Sequence, residues 1–353
     1  MTDISRDKPV LVTGATGYVA GRLVERLLAE GLTVHAAVRN ISDETKLKYL
    51  NKLAEESDGE IKYFSSDLLI NGSYAEAMEG CELVYHTASP FTSKINDPLK
   101  DLIEPAVLGT KNVLEQAKMT DSVKKIVVTS SVAAIYGDNA DTERVPNGIF
   151  TEEHWNVSSN AGHQAYSYSK TIAEQAAWKI SKDQDRWELV TVNPSLVIGS
   201  GINPDGTSES FSIVKKLGDG SLKSGVPHWE ISLVDVRDLA EAHFQAGFNK
   251  KAKGRYIVSG HDSSLLQMAQ LLREHYGKAY QFPNKILPKS IVWLVGPLLD
   301  KNMTRKAVSR NVGHPLRIDN KKSREELGIT YRPLKESIVD FFQQMVESGL
   351  VGK

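Results

Sequence analysis

The chain has 353 residues, 41% of them hydrophobic, with 43 basic and 44 acidic side chains, a composition of ordinary folded proteins at a length of about two domains, or one large α/β domain with an addition. A formal net charge of −1 leaves no footprint for duplex nucleic acid or an anionic membrane, so neither is an expected partner, and the clusters Lys250, Lys251, Lys253, Arg255 and Lys321, Lys322, Arg324 read as solvated faces. The one cysteine, Cys81, excludes an intramolecular disulfide, a cysteine zinc site and a redox pair; it suits a reducing compartment, and a cytoplasmic protein is expected.

Met1 to Lys8 has no apolar run of the kind a secretory signal needs. Val10 to Thr13 reads as a strand, followed by a glycine-containing turn and a helix with Val19, Leu23, Val24, Leu27 and Leu28 on one face. The alternation continues: strand Val34 to Val38, helix Asp43 to Ala54, strand Ile61 to Phe64, strand Leu83 to His86. Then come helix Pro98 to Lys118, strand Lys125 to Ser130, helix Ala165 to Ser181 and strand Glu188 to Val192. Strands and helices alternating on short links predict an α/β doubly wound parallel sheet of the Rossmann type, covered on both faces. After Asn193-Pro194 the pattern loosens. The expected organisation is a dinucleotide-binding domain over residues 1–193, with segments near 231–260 returning to the sheet. A smaller mixed region over 194–353 would be mainly substrate-binding. The pieces Ile231 to Val236 and Arg255 to Val258 are candidates for that return. Ile291 to Leu299 is the longest nearly apolar run. Its nine residues fall far short of the roughly 20 that span a bilayer, so it reads as a buried or lid segment.

The turn Thr13-Gly14-Ala15-Thr16-Gly17-Tyr18-Val19-Ala20-Gly21 lies between the first strand and helix. Small residues there let backbone approach a pyrophosphate at a helix N-terminus. Its Gly-x-x-Gly-x-x-Ala spacing departs from the commoner Gly-x-Gly-x-x-Gly, and strand-turn-helix context is what lifts it above a plain turn. Where NAD-specific folds carry an acid after the second strand, this chain has Arg39, with Lys46 further on. A carboxylate would repel a 2′-phosphate and a guanidinium can bind it, so NADPH/NADP is the expected cofactor, against a plain surface Arg and Lys. Asp67 and Leu68 follow the third strand, where Asp67 either accepts from an adenine amino group or caps a turn. Tyr166 and Lys170 are four apart on a helix, so the ammonium can lower the phenol pKa from about 10 and prepare an acid–base group. Ser131 ends the strand before it. A second Tyr-x-x-x-Lys, Tyr331 to Lys335, contains Pro333, which disfavours the continuous helix that the pairing needs. Phe91 and Tyr136 are candidates for an apolar substrate wall or for core aromatics. The histidines show no metal spacing, and neither a Gly-x-Ser-x-Gly elbow nor a phosphate-binding lysine loop is present.

Taken in order, these segments resemble the extended short-chain dehydrogenase/reductases, in the branch of dihydroflavonol 4-reductase, cinnamoyl-CoA reductase and related aldehyde and ketone reductases. The resemblance runs over nearly the whole chain. It is carried by Thr13 to Ala20, Val38-Arg39, Val84 to Pro90, Pro105 to Leu114, Thr129 to Ser131, Thr151 to Trp155, Tyr166 to Lys170 with Ala173-Glu174, Asn193 to Ser195, and Val234 to Asp238. It implies that Gly14, Thr16, Gly17, Tyr18 and Val19 hold the pyrophosphate, Arg39 and Lys46 the 2′-phosphate, and Asp67 and Leu68 the adenine. Thr87, Ala88, Ser89 and Thr129 would line the ribose and nicotinamide path, with Pro194, Ser195 and Val197 against the nicotinamide. Ser131, Tyr166 and Lys170 would be the catalytic triad of an NADPH-dependent reductase acting on a small-molecule carbonyl, as a monomer or homodimer. One departure stands out. Many members carry an Asn where this chain has Ala106, so a proton relay through that residue does not carry over. A nucleotide-sugar epimerase or dehydratase, and a non-catalytic NADPH sensor, are the alternative functions.

Overall fold

A computed structural model describes residues 2–89, 96–206 and 208–352. The strands are β1 (Val10–Thr13), β2 (Thr33–Val38), β3 (Glu60–Ser65), β4 (Leu83–His86), β5 (Lys125–Thr129), β6 (Glu188–Pro194), β7 (Leu196–Ile198), β8 (Val226–Pro227), β9 (Glu230–Asp235), β10 (Gly254–Val258), β11 (His261–Ser264) and β12 (Ile286–Leu287). Seven form one parallel sheet in the order β10-β6-β5-β4-β1-β2-β3. The central strands are apolar at consecutive positions because helices cover both faces. Successive residues alternate between the two cores: Val10 and Val12 face one, Leu11 the other; Val127 faces the first, Ile126 and Val128 the second.

Helices α1 (Tyr18–Leu28), α2 (Glu44–Glu55), α3 (Ala75–Met78), α4 (Glu104–Met119), α5 (Ala165–Lys182), α6 (Glu209–Gly218) and α7 (Val236–Phe248) connect them. Leu23 and Leu27 of α1 and Leu239 and Ala242 of α7 enter the first core. Val113 and Leu114 of α4 with Ala177 and Ile180 of α5 enter the second. Cys81 is buried in that second core, its Sγ 3.4 Å from the Ala77 carbonyl oxygen, and burial pushes the thiol up to about 12. The remaining helices are α8 (Leu265–Tyr276), α9 (Lys289–Leu299), α10 (Arg305–Asn311), α11 (Lys321–Glu326) and α12 (Leu334–Glu347). Phe211 of α6, Leu272 of α8 and Phe341 and Phe342 of α12 build a third core beside the small sheet β11-β9-β7.

Most predicted segments fall within a residue or two of the observed ones, and three differ. The Pro98 to Lys118 helix opens as a π-helical turn, Leu99–Ile103, before α4. Pro105 in the first turn of α4 has no N–H to give, and the irregular turn precedes it. Of the two expected returning pieces, only β10 joins the main sheet, alongside β6. β9 instead pairs with β7 and β11, because β10 already occupies the free edge of β6. The run Ile291 to Leu299 is a helix, but only Val292 and Gly296 of α9 are buried, so it is not a core segment.

Helix α7 approaches the sheet through Gly247, where a Cβ would stand 2.1 Å from Tyr85 Oη and 2.8 Å from Leu83 Cδ2. Tyr85 is fully buried and cannot swing aside. Gly247→Ala is therefore expected to lower stability by about 1–3 kcal/mol through overpacking, read as a fall in the urea midpoint without change in the slope.

Candidate active site

The strand order reverses between β1 and β4, and in such sheets ligands bind beyond the strand C-termini at that point. Thr13, at the end of β1, accepts the Ala88 N–H on its Oγ1 at 3.1 Å and meets His86 Nδ1 at 3.0 Å. Gly14 lies at φ +64°, and a Cβ there would sit 3.0 Å from the Ala88 Cβ, so the two loops touch only because position 14 has no side chain. Gly17 caps α1 without any side-chain bond, which leaves the first-turn N–H groups of the helix open to an anion. Tyr18 sends its side chain elsewhere. Its ring stacks on Phe341 and meets Phe211 edge-on, and its hydroxyl donates to the Gly199 carbonyl. Only its backbone faces the turn's chemistry. Val19 packs against the first core.

Arg39 is exposed directly after β2, and Lys46 is exposed on α2, 3.2 Å from Asp43. Asp67 Oδ1 accepts the Leu69 N–H at 2.8 Å, so one of its oxygens closes a turn. Leu68 lies beneath Gly109 and lines a narrow cleft together with His86, Ala88, Ser89, Ala106, Thr129 and Lys170. Burial, reinforced by the Lys170 charge, lowers His86 to about 3, which keeps it neutral at that wall. Thr87 Oγ1 donates to the Thr13 carbonyl. Ser66 Oγ, after β3, and Ser195 Oγ, after β6, are buried with no hydrogen-bond partner among the described residues. Two orphaned hydroxyls after β3 and β6, a turn with glycine at positions 14 and 17 and an open helix N-terminus fit an extended polar ligand such as a dinucleotide.

Ser131 follows β5, its Oγ accepting the Ala133 N–H at 3.1 Å. Tyr166, in the first turn of α5, is 54% exposed. Lys170 lies one turn on, its Nζ 5.9 Å from the Tyr166 ring centre and donating to Ser89 Oγ at 3.2 Å. The three expected catalytic residues thus come from the ends of β5 and the start of α5, beside the loop that backs Gly14. Pro194 ends β6, and Val197 pairs with Val234 in the small sheet. Tyr136 stacks on Phe150 at 4.9 Å in a small cluster with Val132 and Leu316, which is packing of the core-aromatic kind. Phe91 lies outside the described residues. Tyr331 and Lys335 do not share a helix: α12 starts at Leu334, Tyr331 Oη meets Ser323, and Lys335 pairs with Glu274.

Two buried networks hold this arrangement, and sequence reading missed both. Glu174, two turns after Tyr166, is fully buried and accepts from Ser130 Oγ at 2.5 Å, Asn193 Nδ2 at 2.7 Å and Arg255 Nε at 2.6 Å. Arg255 also donates to the carbonyls of Glu152 and His154 and lies 3.9 Å over the Trp155 ring. It is 8% exposed, so its cluster is not a solvated face throughout; its place on returning strand β10 was the available signal. Lys322, of the other cluster, is half-buried, donates to the Arg255 carbonyl and is lowered by burial. The second network centres on Asp138, fully buried, which takes His163 Nε2 at 2.8 Å, Arg310 Nε at 2.6 Å, Asn311 Nδ2 at 2.7 Å and Gln164 Nε2 at 3.2 Å. Burial alone would raise its carboxyl, but these hydrogen bonds prevail and hold it below the ordinary range. Gln164 caps α5 in the left-handed region at φ 55°, two residues before Tyr166. Among the described residues no group of His, Cys, Asp and Glu converges as a metal site, and no helix is long and apolar enough to cross a membrane.

Residues 10–259 match the NAD dependent epimerase/dehydratase family. The chain is 33% identical to cinnamoyl-CoA reductase CAD2 of Medicago truncatula over 96% of its own length and 95% of that protein's. Among solved structures it is similar to Gre2 of Candida albicans in complex with NADPH, with a TM-score of 0.77 and 29% identity, covering 97% of this chain and 99% of that one. It is likewise similar to yeast methylglyoxal/isovaleraldehyde reductase Gre2 complexed with NADPH, with a TM-score of 0.77 and 28% identity, again over 97% and 99%.

Removing one member of a buried ion pair leaves the other charged and unpaired. Glu174→Ala is expected to cost about 3–5 kcal/mol, measured by chemical denaturation, whereas Arg255→Met in the Glu174→Gln background recovers much of the loss because neither charge is then stranded.

Proposed function

The chain belongs to the NAD dependent epimerase/dehydratase family, and from that premise we propose that it is an NADPH-dependent oxidoreductase that reduces an aldehyde or ketone carbonyl to the alcohol. The observation that carries the reading is the placement of Tyr166 and Lys170 on α5, with Lys170 Nζ on Ser89 in the loop that backs Gly14. The reductase names of the relatives, and the NADPH held by similar solved structures, support it.

Gly14, Thr16, Gly17 and the first-turn N–H groups at Tyr18 and Val19 would take the pyrophosphate. Arg39, open to solvent, and Lys46 would take the 2′-phosphate, and Asp67 with Leu68 the adenine. Thr87, Ala88, Ser89 and Thr129 would line the ribose and nicotinamide path. Ser195, whose buried hydroxyl lacks a partner, would face the nicotinamide with Pro194 and Val197. Residues 1–193 with returning β10 would thus hold the cofactor, and 194–353 would mainly shape the substrate side. A nicotinamide held there would supply the hydride for the carbonyl carbon. Tyr166 delivers the proton to the carbonyl oxygen, which Ser131 orients by a hydrogen bond. Lys170, one turn from the phenol with its Nζ 5.9 Å from the ring centre, would grip ribose hydroxyls and hold Tyr166 beside them. His86 at the cleft wall stays neutral and does not compete for that proton.

Tyr166→Phe is expected to lower NADPH-dependent turnover on the best of a panel of aromatic and short aliphatic aldehydes, diketones and ketoesters by about 10²-fold or more, with NADPH binding retained. Near wild-type turnover in that variant overturns the mechanism. NADPH binding without turnover on the whole panel by the wild type would instead favour a sensor. Arg39→Asp is expected to weaken NADPH binding roughly ten- to a hundredfold by removing a charge-assisted contact, while NADH binding holds, as read by titration of each dinucleotide.

A further inference from the structure

Helix α9 is apolar on every side, a pattern that ordinarily marks a helix enclosed by neighbours. Here it is enclosed along one stripe only. Val292 packs with Val308 and Val312 around α10, and Gly296 lies beside Met303. Leu298 is 84% exposed, Leu299 81% and Leu294 61%, with Ile291, Trp293 and Val295 also open. An apolar face of this extent marks a binding surface.

The charges around it say what it meets. Between positions 285 and 306 the chain carries Lys285, Lys289, Lys301, Arg305 and Lys306 against one carboxylate, Asp300. All five cations are exposed. Arg305 lies 4.5 Å over the Trp293 ring, and Lys289 Nζ donates to the Ser309 carbonyl at 2.9 Å. Cations thus flank both ends of the exposed leucines. A second copy seated on this face would crowd five like charges from each partner, whereas hydrocarbon beneath anionic headgroups satisfies leucines and lysines together.

We propose that α9 and its flanking cations lie in the interface of an anionic lipid bilayer, with Leu294, Leu298 and Leu299 inserted below the headgroups. The helix lies on the membrane and does not span it. The chain-wide charge of −1 and the shortness of the run, from which no membrane partner was expected, bear on spanning and on average charge, not on a local patch. α10, packed against the buried stripe of α9, reaches Asp138 through Arg310, which links the helix to the network at the start of α5.

The test is sedimentation of the purified full-length protein with vesicles of phosphatidylcholine containing phosphatidylglycerol, and in parallel with phosphatidylcholine alone, at low and high salt. Binding to the anionic vesicles and release by salt are expected. Leu298→Glu/Leu299→Glu should abolish binding, and Lys301→Ala/Lys306→Ala should weaken it roughly thirtyfold. These side chains are exposed, so both variants should keep the wild-type thermal midpoint. No binding to anionic vesicles overturns the proposal, as does equal, salt-insensitive binding to phosphatidylcholine. A solution dimer dissolved by Leu298→Glu, with no vesicle binding, overturns it in favour of a second copy. None of these readings depends on turnover.

Discussion

One buried carboxylate sets the position of everything that would do chemistry. Glu174 draws donors from the residue after β5 (Ser130), from β6 (Asn193) and from β10 (Arg255), while belonging itself to α5. A helix resting on a sheet through apolar contacts alone can slide or rotate at little cost, because such contacts are non-directional. Charge-assisted hydrogen bonds at 2.5–2.7 Å from three strand-end positions leave one register. Tyr166 and Lys170 inherit that register. Asn193 extends it to Ser131 by donating its other N–H to the Ser131 carbonyl. Buried ion pairs are poor sources of net stability and better sources of specificity, and specificity of placement is what an acid–base pair requires.

Asp138 plays the matching part at the open end of the same helix. Where Glu174 ties the middle of α5 to the sheet, Asp138 ties its entrance to α10, through His163 and Gln164 on one side and Arg310 and Asn311 on the other. The left-handed Gln164 is held by a neighbour that over-determines it. Helix α5 is thereby clamped at two points, one on the main sheet and one on α10, and the exposed Tyr166 lies between them.

What could be read from sequence and what could not divide along one physical line. Periodicity, turn composition and four-residue spacing are local. They located β1, β4, the Gly14 turn and the Tyr166–Lys170 pair because each is decided by residues within one element. Arg255 and Glu174 are 81 residues apart, and Arg310 and Asp138 are 172 apart. The one local signal, that Arg255 opens an expected strand, does not say which acid the arginine finds. Tyr18 shows the same limit in reverse. Its place in the turn suggested a ligand contact, but its ring is claimed by Phe341, far along the chain. The small sheet escaped for a related reason: nothing within Ile231 to Val236 says that β10 has taken the edge of β6.

The single thiol bears on durability. Cys81 is enclosed in the second core, and burial keeps it protonated up to about 12. Thiolates are the groups that electrophiles such as unsaturated aldehydes and quinones modify first. With its one thiol enclosed, the chain offers no surface thiol to conjugate addition. Thiol modification of this chain therefore waits on unfolding, when that core opens, and a thiol reagent that labels Cys81 counts opening events and not surface encounters.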